Sequence, residues 1–277
     1  MAFISDVILE DISIPPAPAI IQQLQEQLQK EEQVLMDIAN IIAQDMGISS
    51  LVLRTVNSSY FGLKVKIRSI QHAASLLGIR NTVNIVNGLV LRRTFEEMDG
   101  PNPPNFWESP SNIAMVSANI AQSISRVPSD EAYMLGLFHN SGHALMMQRF
   151  SDYRTFYNEN ANLEGTIITH LENERYQTDH AVLGYYLARS WGLDPKIAEL
   201  IGAHHSVHEV LASDETTREG ILLAILKMAE HIDKQFWGQV IDHEWEQIKD
   251  VVLGYVGISE PDFIDLQEDM QDQLISG

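Results

Sequence analysis

The sequence predicts an all-α protein, on three observations. Apolar residues recur at helical spacing through most of the chain, no stretch alternates apolar and polar residues as a half-buried strand would, and several segments open on helix N-cap or proline signals. At 277 residues and 45% hydrophobic content, the chain can bury a substantial core.

The opening "MAFISDVILEDIS" carries no basic region ahead of its short apolar stretch, so it does not read as a secretory leader. The prolines of "ISIPPAPAI" hold off regular structure before a first helix. In "EEQVLMDIANIIAQD", Leu35, Ile38, Ile41 and Ile42 mark the apolar face of an amphipathic helix. In "SIQHAASLLGIRNTVNIVNGLVLRRTF", Ala73, Leu76, Leu77, Val83, Val86, Leu89 and Val90 mark another. The turn "RTVNSSYFGLKVKIRSI" lies between them. Asn57 and Ser58 read as caps on backbone groups, Phe61 as a core plug and Gly62 as the residue that lets the chain turn; the competing reading makes Asn57, Ser58, Tyr60 and Phe61 a recognition surface.

"DGPNPPNF", Asp99 to Phe106, allows no regular element and is the expected internal boundary. Beyond it, Ser129 is the expected N-cap of a helix with Asp130 and Glu131 in its first turn. Asp194 is the expected N-cap of another, with Pro195 at its first position. From about Lys234 the chain reads as one or two further helices with an acidic end. Three parts follow: an N-terminal helical part, 1–100, a central helical part, 101–233, and a C-terminal helical extension, 234–277.

Composition excludes several function classes. Without cysteine there are no disulfides, thiolate nucleophiles, Cys-ligated zinc sites or iron–sulfur clusters. Eighteen Lys and Arg against 38 Asp and Glu give a net charge of -20, which repels phosphate backbones, so no nucleic-acid partner is expected. The basic residues Lys66, Arg68, Arg80, Arg92 and Arg93 read as scattered and solvated. No apolar run is long enough to span a bilayer, so the expectation is a soluble cytoplasmic chain with no membrane partner.

Candidate chemistry rests on histidines. His180 follows Asp179, the expected N-cap, and shares a helical stripe with Leu183, Leu187 and Trp191, which aims it at the core. His204 continues the stripe of Ile197, Leu200 and Ile201, with His205 on the flank. A single inward histidine is ordinarily satisfied by a backbone carbonyl. Several inward histidines together with His139 point instead toward a divalent metal, for which imidazole is the commonest nitrogen ligand.

"LGLFHNSGHALMM" tests that idea. His139 and His143 have the spacing of a helical zinc site, but a zinc protease needs a glutamate general base after the first histidine. Asn140 stands there and cannot take a proton, and Ser141-Gly142 weakens the helix that would align the pair. The zinc-protease reading fails. The other candidate is a His-Asp doublet holding a divalent ion that activates water against a phosphoester. Its aspartate position is also Asn140.

A family resemblance becomes specific at this point. "IPPAP", "IANIIAQDMGISSLVLRTVNSSYFG", "IRSIQHAASLLGIR", "FWESPSNIAMVSANIA", "AYMLGLFHNSGHALM", "DHAVLGYYLARSWGLDPKIAELIGAHH" and "LLAILKMAEHID" together resemble, in the right order, the HDOD domain. The resemblance implies an HD-domain-like helical bundle with an N-terminal helical subdomain, related to the HD phosphohydrolases and HD-GYP phosphodiesterases. Such a domain is usually a non-enzymatic bacterial signalling or regulatory module. Carried over by position, the ancestral metal ligands fall at Ser109, His139, Asn140 and Glu230. His143 stands where a lysine often follows, and His180, His204 and His205 match further ligands of the HD-GYP relatives. The "GYP" segment itself is not evident.

Replacing a carboxylate by an amide beside a divalent ion forfeits an interaction of about 4 kcal/mol at an effective dielectric near 20. The resemblance therefore implies no catalysis by the family's metal mechanism and no resident cofactor. A divalent metal held by a remnant of His139, His180, His204, His205 and Glu230 is the alternative. The expected function is a regulatory module whose surface, or pocket around His139 and His143, binds a signalling protein partner or a small-molecule or nucleotide ligand, with output delivered to another protein. The alternative function is a divergent metal-dependent phosphohydrolase.

Overall fold

The computed structural model describes residues 14–57, 65–96, 106–124, 126–160, 163–212, 215–238 and 241–276. Among them every regular element is helical and none is a strand. Ser58, Tyr60, Phe61 and Gly62, the opening "MAFISDVILEDIS" and the proline-rich break up to residue 105 lie outside the described residues. The chain divides into two compact units, one of Pro16–Gly100 with Asp272–Gly277, the other of Met1–Pro15 with Pro101–Gln271.

The smaller unit contains α1 (Ala19–Leu28), α2 (Leu35–Gln44), α3 (Met46–Val56) and α4 (Ile70–Glu96). The periodicity of α2 holds: Ile38, Ala39 and Ile42 are buried against α4 and α1. Asp45 caps α3 by accepting the Ile48 N–H at 3.0 Å. Asn57 closes the same helix. Its Nδ2 donates to the carbonyls of Leu53 (2.7 Å) and Ile67 (2.8 Å), and its Oδ1 accepts the Ile67 N–H (2.7 Å). All of that bonding goes to backbone, as the capping reading expects.

One expectation fails in α4. Leu76, placed on its apolar stripe, is 49% exposed. The cause is Gly78, whose φ of 78° and ψ of 170° interrupt the helix. Residues before and after it belong to two helical segments with different registers, and one continuous stripe cannot describe both.

The larger unit begins with α5 (Glu108–Ile124), α6 (Ser129–Phe138), α7 (Gly142–Arg149), α8 (Tyr153–Asn160) and α9 (Gly165–Tyr176). It continues with α10 (His180–Ser190), α11 (Pro195–Ala203), α12 (Val207–Val210), α13 (Arg218–Phe236), α14 (His243–Val256) and α15 (Glu260–Ser276), the last running past its end. Helix α13 is its axis. From Gly220 to Glu230 it is buried without interruption, because α5, α6, α11, α12 and α14 pack around it. A helix apolar on all sides is what a core position requires.

The caps of α10 and α11 are those expected. Asp179 accepts the Val182 N–H at 2.8 Å, and Asp194 accepts the Lys196 N–H at 2.8 Å with Pro195 opening the helix. Ser129 is not a cap. The carbonyl of Pro128 already accepts the Ala132 N–H at 3.3 Å, so Ser129 is the first helical residue and its side chain makes no capping bond. The C-terminal extension forms two helices, and the "IPPAP" stretch is fixed where the Trp191 Nε1–H donates to the Pro15 carbonyl at 3.0 Å. No described helix is long and apolar enough to cross a membrane.

Close approach of α7 to α10 depends on Gly142. A Cβ there would lie 1.9 Å from the His180 carbonyl oxygen, a backbone atom that cannot swing aside. Gly142→Ala is expected to destabilise the protein by about 2 kcal/mol or more, as overpacking does. Gly254, on the exposed face of α14 with open space around it, should gain about 0.5–1 kcal/mol on substitution by alanine. Urea midpoints of the two variants should move in opposite directions; a shared direction would refute this account of the α7–α10 contact.

Candidate functional site

The histidines gather where helix ends converge in the larger unit. His139 follows α6, His143 lies in the first turn of α7, His180 opens α10, and His204 and His205 follow α11. Behind them runs α13 with Lys227 and Glu230. His139, His180 and His204 are 1% exposed or less.

Each inward ring is tethered at Nδ1. The His139 Nδ1–H donates to the Gly136 carbonyl at 2.7 Å, and the His204 Nδ1–H to the Ile201 carbonyl at 2.6 Å. Carbonyl oxygen can only accept, so these nitrogens carry protons and Nε2 is the nitrogen left to face the site. Neither Nε2 has a hydrogen-bond partner. Glu230 Oε1 stands 3.3 Å from that of His139.

His180 is held differently. Its Nδ1–H and its backbone N–H both donate to Glu172 Oε2, at 2.8 and 3.0 Å, and its Nε2 meets His205 Nε2 at 3.0 Å. The other Glu172 oxygen accepts from the Tyr153 hydroxyl. Tyr153 has only one proton, so toward His143 Nδ1, 2.7 Å away, it must accept. His143 therefore carries its proton on Nδ1. Its ring stacks on His180 with centroids 3.8 Å apart. Close approach of α9 is possible because Gly165 has no side chain: a Cβ there would lie 1.8 Å from His205 Nδ1.

Charge is concentrated on α13. The Lys227 ammonium, 2% exposed, lies 2.8 Å from Glu230 Oε2 and 2.8 Å from Glu244 Oε1. Burial alone would strip its proton, but the two carboxylates outweigh burial and hold its pKa above the usual lysine value. Burial likewise opposes ionisation of Glu230, and Lys227 overrides it, so Glu230 stays ionised well below the ordinary carboxylate range. Burial, assisted by Lys227, pushes His205 down to about 4, and burial with His205 and Lys227 lowers His204. Burial and its histidine neighbours lower His143. His180 alone goes up: burial works against it, but the charge and hydrogen bond of Glu172 prevail.

The positions carried over by resemblance separate into two groups. His180, His204 and His205 each bring a ligand atom within 4.8 Å of the others, as do His143, Glu172 and His180. Either trio could hold a metal ion. His139 joins the cluster edgewise, 5.4 Å from the His204 ring centre. Ser109 stands apart: its hydroxyl donates to Asp233 Oδ2 at 2.5 Å, alongside donors from Asn112 at 2.9 Å and the Trp237 indole at 3.1 Å. Burial pushes Asp233 up to about 6 despite those three donors. Asn140 lines two cavities, of about 100 and 150 Å³, and its buried Oδ1 has no partner. The set Ser109, His139, Asn140 and Glu230 does not fit a divalent ion: Ser109 is committed to Asp233, Asn140 is uncharged, and an ammonium holds Glu230.

Lys227, Glu172, Tyr153 and Glu244 were not among the sequence candidates. Lys227 had a signal, a lone charge inside "ILLAILKMAEH", three residues before Glu230. Glu172, Tyr153 and Glu244 had none, since only the packing of α8, α9 and α14 brings them here.

A pH dependence follows for the metal-free protein. Between pH 6.5 and about 4, the unfolded chain binds protons at His143, His204 and His205 that the folded chain refuses, so stability falls as the pH falls. Each such histidine adds up to about 1.4 kcal/mol per pH unit to that slope. His180 and Asp233 act in the opposite sense: the contribution of His180 is complete below 6.5 and lost as the pH rises through its raised folded value, and that of Asp233 is complete below its ordinary 3.8 and lost as the pH rises through about 6, so that the three histidines must outweigh it. Urea denaturation across this range should give a positive slope of stability with pH, and His205→Gln should flatten it; a negative slope would contradict the neutral cluster.

Comparison with known proteins agrees with this architecture. The family model of the HDOD domain matches residues 14–207. An uncharacterized protein of Treponema pallidum is 25% identical over 200 residues, 70% of this chain but only 38% of that protein, so the match spans well under half of the relative's length. The crystal structure of an inferred phosphohydrolase from Shewanella amazonensis superposes with a TM-score of 0.72 at 21% identity, covering 98% of both chains. That of an inferred signal transduction protein from Marinobacter aquaeolei gives 0.74 at 18% identity, over 96% of this chain and 60% of that one. At these identities the structural likeness is one of fold, and the family match spans most of the chain. With the helical architecture and the order of its motifs, this chain belongs to the HDOD domain family.

Proposed function

We propose that this protein is a non-catalytic signalling module, whose pocket lined by Asn140 and His143, beside the buried His139, takes a small ligand and whose helical surface delivers the result to a partner protein. One observation carries the reading: the buried Lys227 ammonium bridges Glu230 and Glu244 at 2.8 Å each, and so supplies from within the chain the positive charge that an inherited metal position would need. The uncharged Asn140 and the committed Ser109 are consistent with it. The signal transduction assignment of the Marinobacter relative supports the same direction.

Metal-dependent phosphoester hydrolysis is the competing reading, favoured by the His180, His204 and His205 trio and by the phosphohydrolase assignment of the Shewanella relative. It requires a metal-bound hydroxide poised by a carboxylate. Glu230 and Glu244 are both engaged by Lys227, and Glu172 by His180 and Tyr153.

Lys227→Ala tests the assignment. Leaving two buried carboxylates without their cation should cost about 3–5 kcal/mol. Added Mn²⁺ or Zn²⁺ should then restore part of the lost thermal stability in the variant and change the wild-type melting temperature little. Wild-type protein should show no turnover of bis(p-nitrophenyl) phosphate with either metal. Metal-dependent turnover abolished by His139→Ala would overturn the non-catalytic reading, and equal cation responses in the two proteins would refute the role given to Lys227.

A further inference from the structure

The larger of the two cavities is unlike the histidine cluster beside it. Phe106, Trp107, Tyr157 and Trp237 wall it, and it takes in Ser109, Asn140 and His143; no lysine or arginine lines it. Its aromatic residues meet edge to face, Phe106 against Trp107 at 86° and against Tyr157 at 74°. Trp237 is partly exposed at the rim, yet its indole N–H is fixed to Asp233 at 3.1 Å. The walls are preformed.

Two polar atoms here are acceptors without a donor from the protein. Asn140 Oδ1 is buried without a protein partner, a state that ordinarily calls for a bound donor. His143 lines the cavity and keeps its proton on Nδ1 toward Tyr153, so in its neutral ring Nε2 carries the lone pair. Nothing here neutralises an anion. Asp233, the nearest charge behind Ser109, is itself an acid. Lys234, on the adjoining cavity, is tied to Asp242 at 3.0 Å beside the carboxylates of Glu230 and Glu244.

Resting on the non-catalytic reading above, we propose that this cavity binds one uncharged, planar heteroaromatic ring system bearing N–H donors, of the purine-base class, without phosphate. The aromatic walls supply stacking surface, which accepts any flat ring. Asn140 supplies selectivity, since a carboxamide recognises a ring edge through directed hydrogen bonds, as it does with adenine. The volume, about 150 Å³, admits a single ring system and lies below the roughly 300 Å³ at which pockets for larger ligands begin. A triphosphate would have to place its charges beside Glu230 and Glu244, where the one lysine lining the adjoining cavity, Lys234, is already paired with Asp242.

Two wall residues are tryptophans, so binding reports itself. Adenine, guanine and ATP are titrated into the full-length protein, followed by tryptophan fluorescence and by calorimetry. Adenine or guanine should quench saturably, and ATP should bind at least about tenfold more weakly. Asn140→Leu should weaken the base about tenfold or more, each tenfold being about 1.4 kcal/mol. If that variant does not fold, Trp237→Leu at the exposed rim removes one stacking wall and should weaken the base by a similar factor. No saturable binding of either base at millimolar concentration, ATP binding tighter than the bases, or affinity unchanged in the folded variants would each overturn the proposal. Phosphodiester turnover is measured in the same samples: its appearance would refute the non-catalytic reading, whereas its absence together with absent base binding would refute only the ligand class.

Discussion

The buried ammonium of Lys227 is the constraint on which the site depends. Two carboxylates, Glu230 and Glu244, lie in a region almost closed to water, and removing an ion from water costs several kcal/mol even after relaxation. Their mutual repulsion adds to that. A single cation 2.8 Å from each supplies an attraction on the order of 5 kcal/mol per contact at an effective dielectric near 20, enough to keep all three charged. Because Lys227 and Glu230 are one helical turn apart on α13, the helix itself sets part of this geometry. Glu244, from α14, completes it only when α14 has docked on α13, so the charge triad also selects that packing.

Protonation of the neighbouring rings follows from the same arrangement. Burial first, and the Lys227 charge in addition, make it costly for His204 and His205 to charge, and they remain neutral acceptors. Glu172 reverses the balance for His180 alone, because it binds both the ring and the backbone N–H of that residue. The five histidines are thus not equivalent. One is biased toward the imidazolium, three are held neutral, and His139 faces Glu230 with its Nε2. A metal site would want this set of Nδ1 tethers too, since fixing one ring nitrogen orients the other. Here a cation, Lys227, is already present beside them.

Much of this could be read along the chain, and the limits have physical reasons. The stripes of α10 and α11 placed His180 and His204 inward because helical periodicity is local, and the caps at Asp179 and Asp194 are local as well. The α4 stripe misled at Leu76 because one glycine with positive φ resets the register, and glycine in a helical stretch does not announce which conformation it will take. Ser109 was placed at a ligand position, and the fold turns its hydroxyl to Asp233, in a residue 124 positions away. Glu172, Tyr153 and Glu244 depend on how α8, α9 and α14 pack. No pattern of spacing along the chain encodes such encounters.

The residues at the positions carried over by resemblance make sense together and not singly. A divalent ion balances two carboxylates; an ammonium balances one. With Lys227 as the one cation between Glu230 and Glu244, a carboxylate at position 140 would add a second uncompensated negative charge, and Asn140 avoids it with nearly the same shape. A histidine at position 109 would have had to accommodate Asp233, whereas serine simply donates to it. Once the amide is present its Oδ1 is an acceptor with no metal to meet, left buried at the edge of an aromatic cavity. Under the proposed non-catalytic reading, charge compensation by Lys227 stands where a metal would otherwise balance the carboxylates, and Asn140 is left as a hydrogen-bonding group available to something else.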